Sequence, residues 1–266
     1  MPIALHGRAI DYEETGAGPA IVLVPGSFST MAAWRPVVRR LADRFRCIAT
    51  SLPGYGGSTE TRDAANDIAS LAETVEAVIR HAGEPVHLVG HSFGGCTAMA
   101  VAIRGRVALS GLTMFEANPA DILREAGESH LHALTQGMLG AYRTGVAAEV
   151  APGVIDFWGG AGSFAALPAP VQEYVRRTAD TNARDWQSAL EFTAGIAAYR
   201  AIPCPAHFVH GSDGHAAARR MAELLAEWLP LGRLSTIPGA SHFMISTHPN
   251  ETAAIIAADA TRQNAG

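Results

Sequence analysis

Residues Gly90-His91-Ser92-Phe93-Gly94 form a G-x-S-x-G run, and its hydroxyl is the first candidate for chemistry in the chain. A serine is a weak nucleophile at its own pKa and needs a neighbouring base to take its proton. The flanking glycines fit a sharp turn that lifts Ser92 off the end of a strand, because side chains at Gly90 and Gly94 would collide with the adjoining strand and helix. A helix starting directly after the turn would add partial positive charge beside the nucleophile. Among eleven histidines, His242 is the best candidate base, since it lies in a Gly-Ala-Ser loop after the last apolar run and an imidazole there can swing over the turn. His91, inside the motif, reads as a buried, hydrogen-bonded strand-end residue. His207, His210, Asp213 and His215 cluster in sequence, but His207 and His210 are three apart on a strand and face opposite sides, so no metal set is expected. His130 and His132 read as exposed helix residues.

The elements that must position these groups follow from apolar patterning. PAIVLVPG, FRCIATSLPGYGGS, VHLVGHS, LSGLTMFE, PAHFVHG and RLSTIPG each pair a short apolar run with turn residues, which predicts buried strands. Helical spacing runs from Asp67 to His81 and ends at Gly83; further helices are expected over Phe93 to Ile103, Ala216 to Leu229 and Pro249 to Thr261. The opening IALHGRAIDYEETGAG reads as a β-hairpin. Strands alternating with helices predict an α/β fold, a mostly parallel central sheet flanked by helices, with its ligand site outside the carboxyl ends of the strands. The rhythm breaks over 117–201, an Ala-, Gly- and Pro-rich stretch expected to be a helical cap inserted into a core made of 1–116 and 202–266.

Taken together, the motifs resemble the α/β-hydrolase superfamily over nearly the whole chain. That family usually carries His-Gly with a Trp eight residues past the Gly; here Pro25-Gly26-Ser27-Phe28 is followed by Trp34. Its Asp-x-(Arg/Pro)-Gly-x-Gly-x-Ser run reads Ser51-Leu52-Pro53-Gly54-Tyr55-Gly56-Gly57-Ser58, and its late Gly-x-x-His is Gly239-Ala240-Ser241-His242 with Pro249 beyond. Pro25 in place of His and Ser51 in place of Asp are departures, and the loops those residues brace must be held differently. The resemblance assigns the two backbone donors of an oxyanion hole to Phe93 and Ser27.

A triad also needs a carboxylate to orient the base and stabilise its imidazolium. The family's usual position follows the strand before the last, where Asp213 in His-Gly-Ser-Asp-Gly comes one residue early. A second position follows the strand after the elbow helix, and Glu116 sits there at the end of LSGLTMFE. A carboxylate ending a buried apolar strand demands a polar partner, so Glu116 is the preferred acid and Asp213 the alternative. The stretch from Asp156 to Phe164 resembles a cap segment of small bacterial hydrolases. Phe28, Trp158, Phe164, Trp186 and Phe192 are candidates for an apolar substrate pocket, with packing of the cap helices as the alternative role.

Composition narrows the functional classes. The 266 residues are 48% hydrophobic with a net charge of −5, which leaves no basic footprint for nucleic acid. All basic residues are Arg, so Schiff-base lysine chemistry and Lys-dependent phosphate loops are excluded. No apolar run is long enough for a membrane span, and the start of the chain lacks the apolar stretch of a signal peptide; a cytoplasmic protein is expected. Three dispersed cysteines, Cys47, Cys96 and Cys204, fit a reducing compartment. The resemblance implies a serine hydrolase without cofactor or metal. Its substrate would be a small, fairly apolar ester or lactone, or a carbon–carbon bond next to a ketone. Perhydrolysis of the cofactor-free haloperoxidase type and a non-catalytic binding protein on the same fold are the alternatives. Halide-displacing dehalogenases and epoxide hydrolases are disfavoured, since they use Asp at the elbow where this chain has Ser92. A small-molecule substrate is the expected partner, with a homodimer as the base-rate expectation.

Overall fold

The computed structural model describes residues 3–62, 67–83 and 85–263. Seven strands, β3 to β9, form one sheet in the order β3-β5-β4-β6-β7-β8-β9. They are β3 (Tyr12–Thr15), β4 (Ala20–Val24), β5 (Arg46–Thr50), β6 (Val86–His91), β7 (Leu109–Phe115), β8 (Ala206–Gly211) and β9 (Gly232–Ile237). Within this sheet, as described, only β3 runs antiparallel to its neighbour and the other pairs are parallel. Because β4 and β6 are neighbours while β5 lies on the far side of β4, the connections diverge between them. That is the switch point at which such sheets open a crevice for ligand.

The opening segment forms two units where one hairpin is expected. β1 (Ile3–Leu5) and β2 (Arg8–Ile10) pair through a His6-Gly7 turn with positive φ at both residues, but β3 leaves them to pair with β5. Asp11 supplies a reason for the break. Its carboxylate accepts from the Ser51 hydroxyl (3.1 Å) and the Gly57 N–H (3.0 Å), tying the β2–β3 corner to the loop after β5. A carboxylate therefore reaches the loop in which Ser51 replaces the usual Asp.

Alternation along the strands builds two cores. In β4, Ile21 and Leu23 face one cluster while Val22 and Val24 face the other, and all four are fully buried. One face is covered by α1 (Arg35–Leu41) and α12 (Pro249–Gln263), the other by α2 (Ile68–Ala82), α3 (Phe93–Arg104) and α10 (Ala216–Trp228). Helix α2 has the caps expected of it: the Asp67 side chain accepts from Ala69 N–H, and Gly83 closes the helix in the left-handed region. Between β7 and β8 the described chain is helical, with no strand: α4 (Asp121–Glu125), α5 (Ser129–Thr144), α6 (Ala147–Gly159), α7 (Ala169–Arg177), α8 (Ala179–Glu191) and α9 (Ile196–Arg200). The short α11 (Met244–Thr247) follows the loop after β9. Among the described residues no helix is long and apolar enough to cross a membrane.

Candidate active site

Ser92 leaves β6 with φ +53° and ψ −126°, a conformation costing a non-glycine residue about 1–3 kcal/mol. The neighbouring glycines make that turn possible: a Cβ on Gly90 would lie 2.6 Å from Cα of Gly95 in α3, closer than packing allows. Three of the described non-glycine residues with positive φ surround one point, namely Phe28, Ser92 and Glu116; the fourth, His6, is in the hairpin turn. Phe28 follows β4, Ser92 follows β6 and Glu116 follows β7, so the strain is concentrated at the carboxyl ends of adjacent strands.

The Ser92 hydroxyl donates to His242 Nε2 at 2.9 Å. His242 Nδ1–H donates to Glu116 Oε2 at 2.7 Å, and the other carboxylate oxygen accepts the Gly211 N–H at 2.9 Å. All three side chains are buried. Burial alone would raise the Glu116 carboxyl, but the bonds from His242 and Gly211 outweigh it and hold the group below its ordinary range. Both ring nitrogens of His242 are thereby occupied, and Asp213, the alternative acid, lies outside this line of hydrogen bonds. Asp213 is exposed at the β8 turn and its carboxylate accepts from the Ser212 hydroxyl at 2.8 Å. The spacing short by one leaves it in a solvated turn, while Glu116 points inward.

His91 is buried, and its Nε2–H donates to the backbone carbonyl of His242 at 2.7 Å. Burial, with the His242 imidazole alongside, pushes the His91 pKa down to about 3. Its imidazole is therefore neutral and holds the His242 loop through that carbonyl. His207 and His210 do face opposite ways. His207 joins Asp259 (2.7 Å) and Ser235 (2.7 Å) beneath α12, whereas His210 contacts Thr236 and its neighbour's carbonyl. His130 is exposed and His132 half-buried on α5.

A cavity of about 200 Å³ opens over Ser92. From the core it is lined by Ser27, Phe28, Phe93 and His242, and from the segment between β7 and β8 by Asn118, Val154, Ile155, Trp158, Val175 and Trp186. Helices α6, α7 and α8 therefore lie across the carboxyl ends of the strands. The Trp158 ring stacks on the His242 imidazole (centroids 5.1 Å, planes 19°) and in turn on Trp186 (5.7 Å, 14°). This stack covers one face of the His242 ring. Phe93 N–H is in the first turn of α3, where helical donors lack intrahelical acceptors, and Ser27 shares the same wall.

Two aromatic candidates lie elsewhere. Phe164 is buried inside the helical segment with the Arg176 guanidinium over its ring, and Phe192 packs against the core; neither lines the cavity.

Sequence reasoning missed three polar residues of the cavity wall: Asn118, Asn182 and Asp185. Asn182 and Asp185 were detectable in principle. They fall on the same helical phase as Ala179, Trp186 and Ala189, so α8 turns two polar side chains inward with its apolar stripe. Asp185 Oδ2 accepts from Ser27 Oγ (2.5 Å) and Tyr55 Oη (2.6 Å), and Oδ1 accepts from Arg62 (2.6 Å). Burial pushes the Asp185 carboxyl up, and Arg62, Ser27 and Tyr55 counter it. Burial also opposes the charge on Arg62, but Asp185 and Glu60 outweigh it and keep the guanidinium protonated. Asn118 Oδ1 is buried at the cavity wall and has no hydrogen-bond partner among the described residues.

Comparison with known proteins places these features in a wider group. The family model described as "Alpha/beta hydrolase family" matches residues 21–255. A fluoroacetate dehalogenase from Burkholderia sp is 26% identical over 267 residues, covering 91% of this chain and 86% of that protein. Among solved structures, a thermophilic esterase from Thermogutta terrifontis has a TM-score of 0.78 at 22% identity, covering 98% of this chain and 97% of that one. The enol-lactonase from Burkholderia xenovorans LB400 has a TM-score of 0.76 at 18% identity, covering 98% and 100%.

Proposed function

The chain belongs to the alpha/beta hydrolase family, and from that premise we propose that it is a serine hydrolase cleaving small, neutral, fairly apolar carboxylic esters or lactones through an acyl-enzyme. The observation that carries this reading is the continuous line from Ser92 through His242 to Glu116, at 2.9 and 2.7 Å, on the wall of an apolar cavity. His242 takes the Ser92 proton as the hydroxyl attacks the carbonyl carbon, and Glu116 stabilises the imidazolium that forms. The oxyanion is received by the N–H groups of Ser27 and Phe93. His242 then returns the proton to the leaving alkoxide, and water, activated by the same base, releases the acid. Helices α6–α8 act as the cap that selects the acyl group.

Two features favour a neutral substrate. Among the described residues no Arg lines the cavity, and the chain has no Lys. An anionic substrate would lose its hydration without gaining a counter-ion, at a cost of several kcal/mol. The dehalogenase relative does not carry over its printed activity, because displacement of halide calls for an Asp where Ser92 stands. Ser92 also has no rival among the cysteines. Cys47, Cys96 and Cys204 are buried and free, and burial raises all three thiols, that of Cys47 to about 12. Such thiols suit the cytoplasm and are poor nucleophiles.

The test is a panel of p-nitrophenyl esters from acetate to octanoate, run on wild type and Ser92→Ala. The reading predicts turnover with an optimum at short to medium acyl length and a loss of about three or more orders of magnitude in the variant. Equal turnover by the two proteins, or none by either, would reject it.

A further inference from the structure

We infer that Asp185 is a positioning residue: reaching down from the helical segment, it holds the loop that carries the Ser27 oxyanion donor, so that this donor is set only when α8 is seated on the core. The inference rests on the proposed serine-hydrolase reading and deepens it. It starts from a gap in the sequence pattern, since Pro25 occupies the place where the family usually has a bracing His. Pro has no side-chain donor, so another group must fix the loop.

The geometry identifies that group. Ser27 Oγ donates to Asp185 Oδ2, and Tyr55 Oη donates to the same oxygen. The next residue of the loop, Phe28, is in the left-handed region at φ +58°. One carboxylate oxygen therefore ties Ser27 of this loop to Tyr55 of the loop after β5. The other oxygen is held by Arg62, whose side chain is fully buried and also paired with Glu60. A carboxylate with three donors already on it is poorly placed to bind substrate, although it lies at the cavity wall. Asp185 is 158 residues from Ser27 in sequence and belongs to α8, so the link joins cap to core. Fixing a backbone donor in advance matters because an oxyanion hole works by preorganisation: a loop that must reorganise during the reaction forfeits part of the stabilisation.

The test uses Ser27→Ala, Ser27→Thr and Asp185→Asn with an ester whose acylation limits turnover, and a trifluoromethyl ketone that forms a tetrahedral adduct on a serine. Ser27→Ala should lower kcat by about 10- to 100-fold, less than deleting a donor outright, with KM within about twofold. Affinity for the trifluoromethyl ketone should fall by a similar factor. Ser27→Thr, which restores the hydroxyl, should recover most of kcat. Ser27→Ala/Asp185→Asn should be no slower than the worse single variant, because both break one link. Asp185→Asn leaves Arg62 with less charge compensation, so the Ser27 pair decides the question if that variant does not fold. An unchanged kcat in Ser27→Ala, or a raised KM with kcat intact, would overturn the inference. Failure of the wild type to hydrolyse any ester would instead reject the underlying reading.

Discussion

Replacing Glu116 with Gln removes one charge from a buried site while keeping shape, and the structure sets the size of the effect. The carboxylate is charged throughout the cycle, whereas His242 becomes charged only as Ser92 attacks, so their attraction is gained in the transition state. With charge centres about 4 Å apart and an effective dielectric of about 20, that attraction is about 4 kcal/mol, or about three orders of magnitude in rate. A hydrogen-bond argument adds to it. Glu116 accepts from Gly211 N–H with one oxygen and from His242 Nδ1–H with the other. A Gln has a single acceptor, so its NH2 must either confront the Gly211 N–H or face Nδ1. The second arrangement puts the proton of a neutral imidazole on Nε2, where it can no longer accept from Ser92. We expect kcat on a p-nitrophenyl ester to fall by about 10³- to 10⁴-fold, with the fold intact by circular dichroism. Asp213→Asn, at an exposed turn, should stay within about twofold of wild type. A folded Glu116→Gln variant retaining more than a tenth of wild-type kcat would refute the assignment of the acid.

Three further outcomes follow from the same geometry. A Cβ on Gly214 would press on Glu116 Oε1, so Gly214→Ala should cut kcat by about tenfold or more while the protein stays folded; wild-type kcat in the variant would show that the carboxylate has slack. The Glu116 carboxyl titrates below its ordinary value in the folded protein. Its contribution to stability is therefore present above about pH 4.5 and lost as the pH falls through the folded value. In urea titrations the stability gap between wild type and Glu116→Gln should narrow from pH 6 to pH 3, and a gap that widened would contradict the sign. Trp158→Ala removes the ring stacked on His242 and opens the cavity, so KM for the better medium-chain esters should rise several-fold and the midpoint of thermal unfolding should drop; unchanged KM values would remove Trp158 from the substrate wall.

The sequence was most legible where local chemistry leaves few choices. Strands β4 to β9 announce themselves as short apolar runs closed by turn residues, because a strand buried on both faces tolerates little else. Ser92 is legible because a strained strand-to-helix turn needs Gly90 and Gly94 around it. The preference for Glu116 over Asp213 rests on desolvation: a carboxylate at the end of LSGLTMF has to find a donor in the fold, and His242 and Gly211 supply two. What stayed hidden depends on contacts between distant segments. Nothing near Asp185 in sequence reveals Ser27, Tyr55 or Arg62 as its partners. Phe164 and Trp158 look alike in a stretch rich in aromatics, yet one is turned under Arg176 and the other over His242. The departure of β3 from the opening hairpin likewise depends on Asp11 meeting a loop some forty residues away.

The central claim is that Ser92 is the nucleophile of an acyl-enzyme, and covalent labelling reads it most directly. Incubation with a fluorophosphonate, followed by intact-mass measurement and peptide mapping, should add one phosphonyl group per chain, located on Ser92, with Ser92→Ala unlabelled. The chain contains an internal control. Ser235 donates to or accepts from His207, which pairs with Asp259, yet Ser235 lies within the regular edge strand β9 and has no strained turn to present backbone donors beside it. Stoichiometric label on Ser92 alone is the predicted result; label that persists in Ser92→Ala, or a wild type that takes up none, would contradict the account.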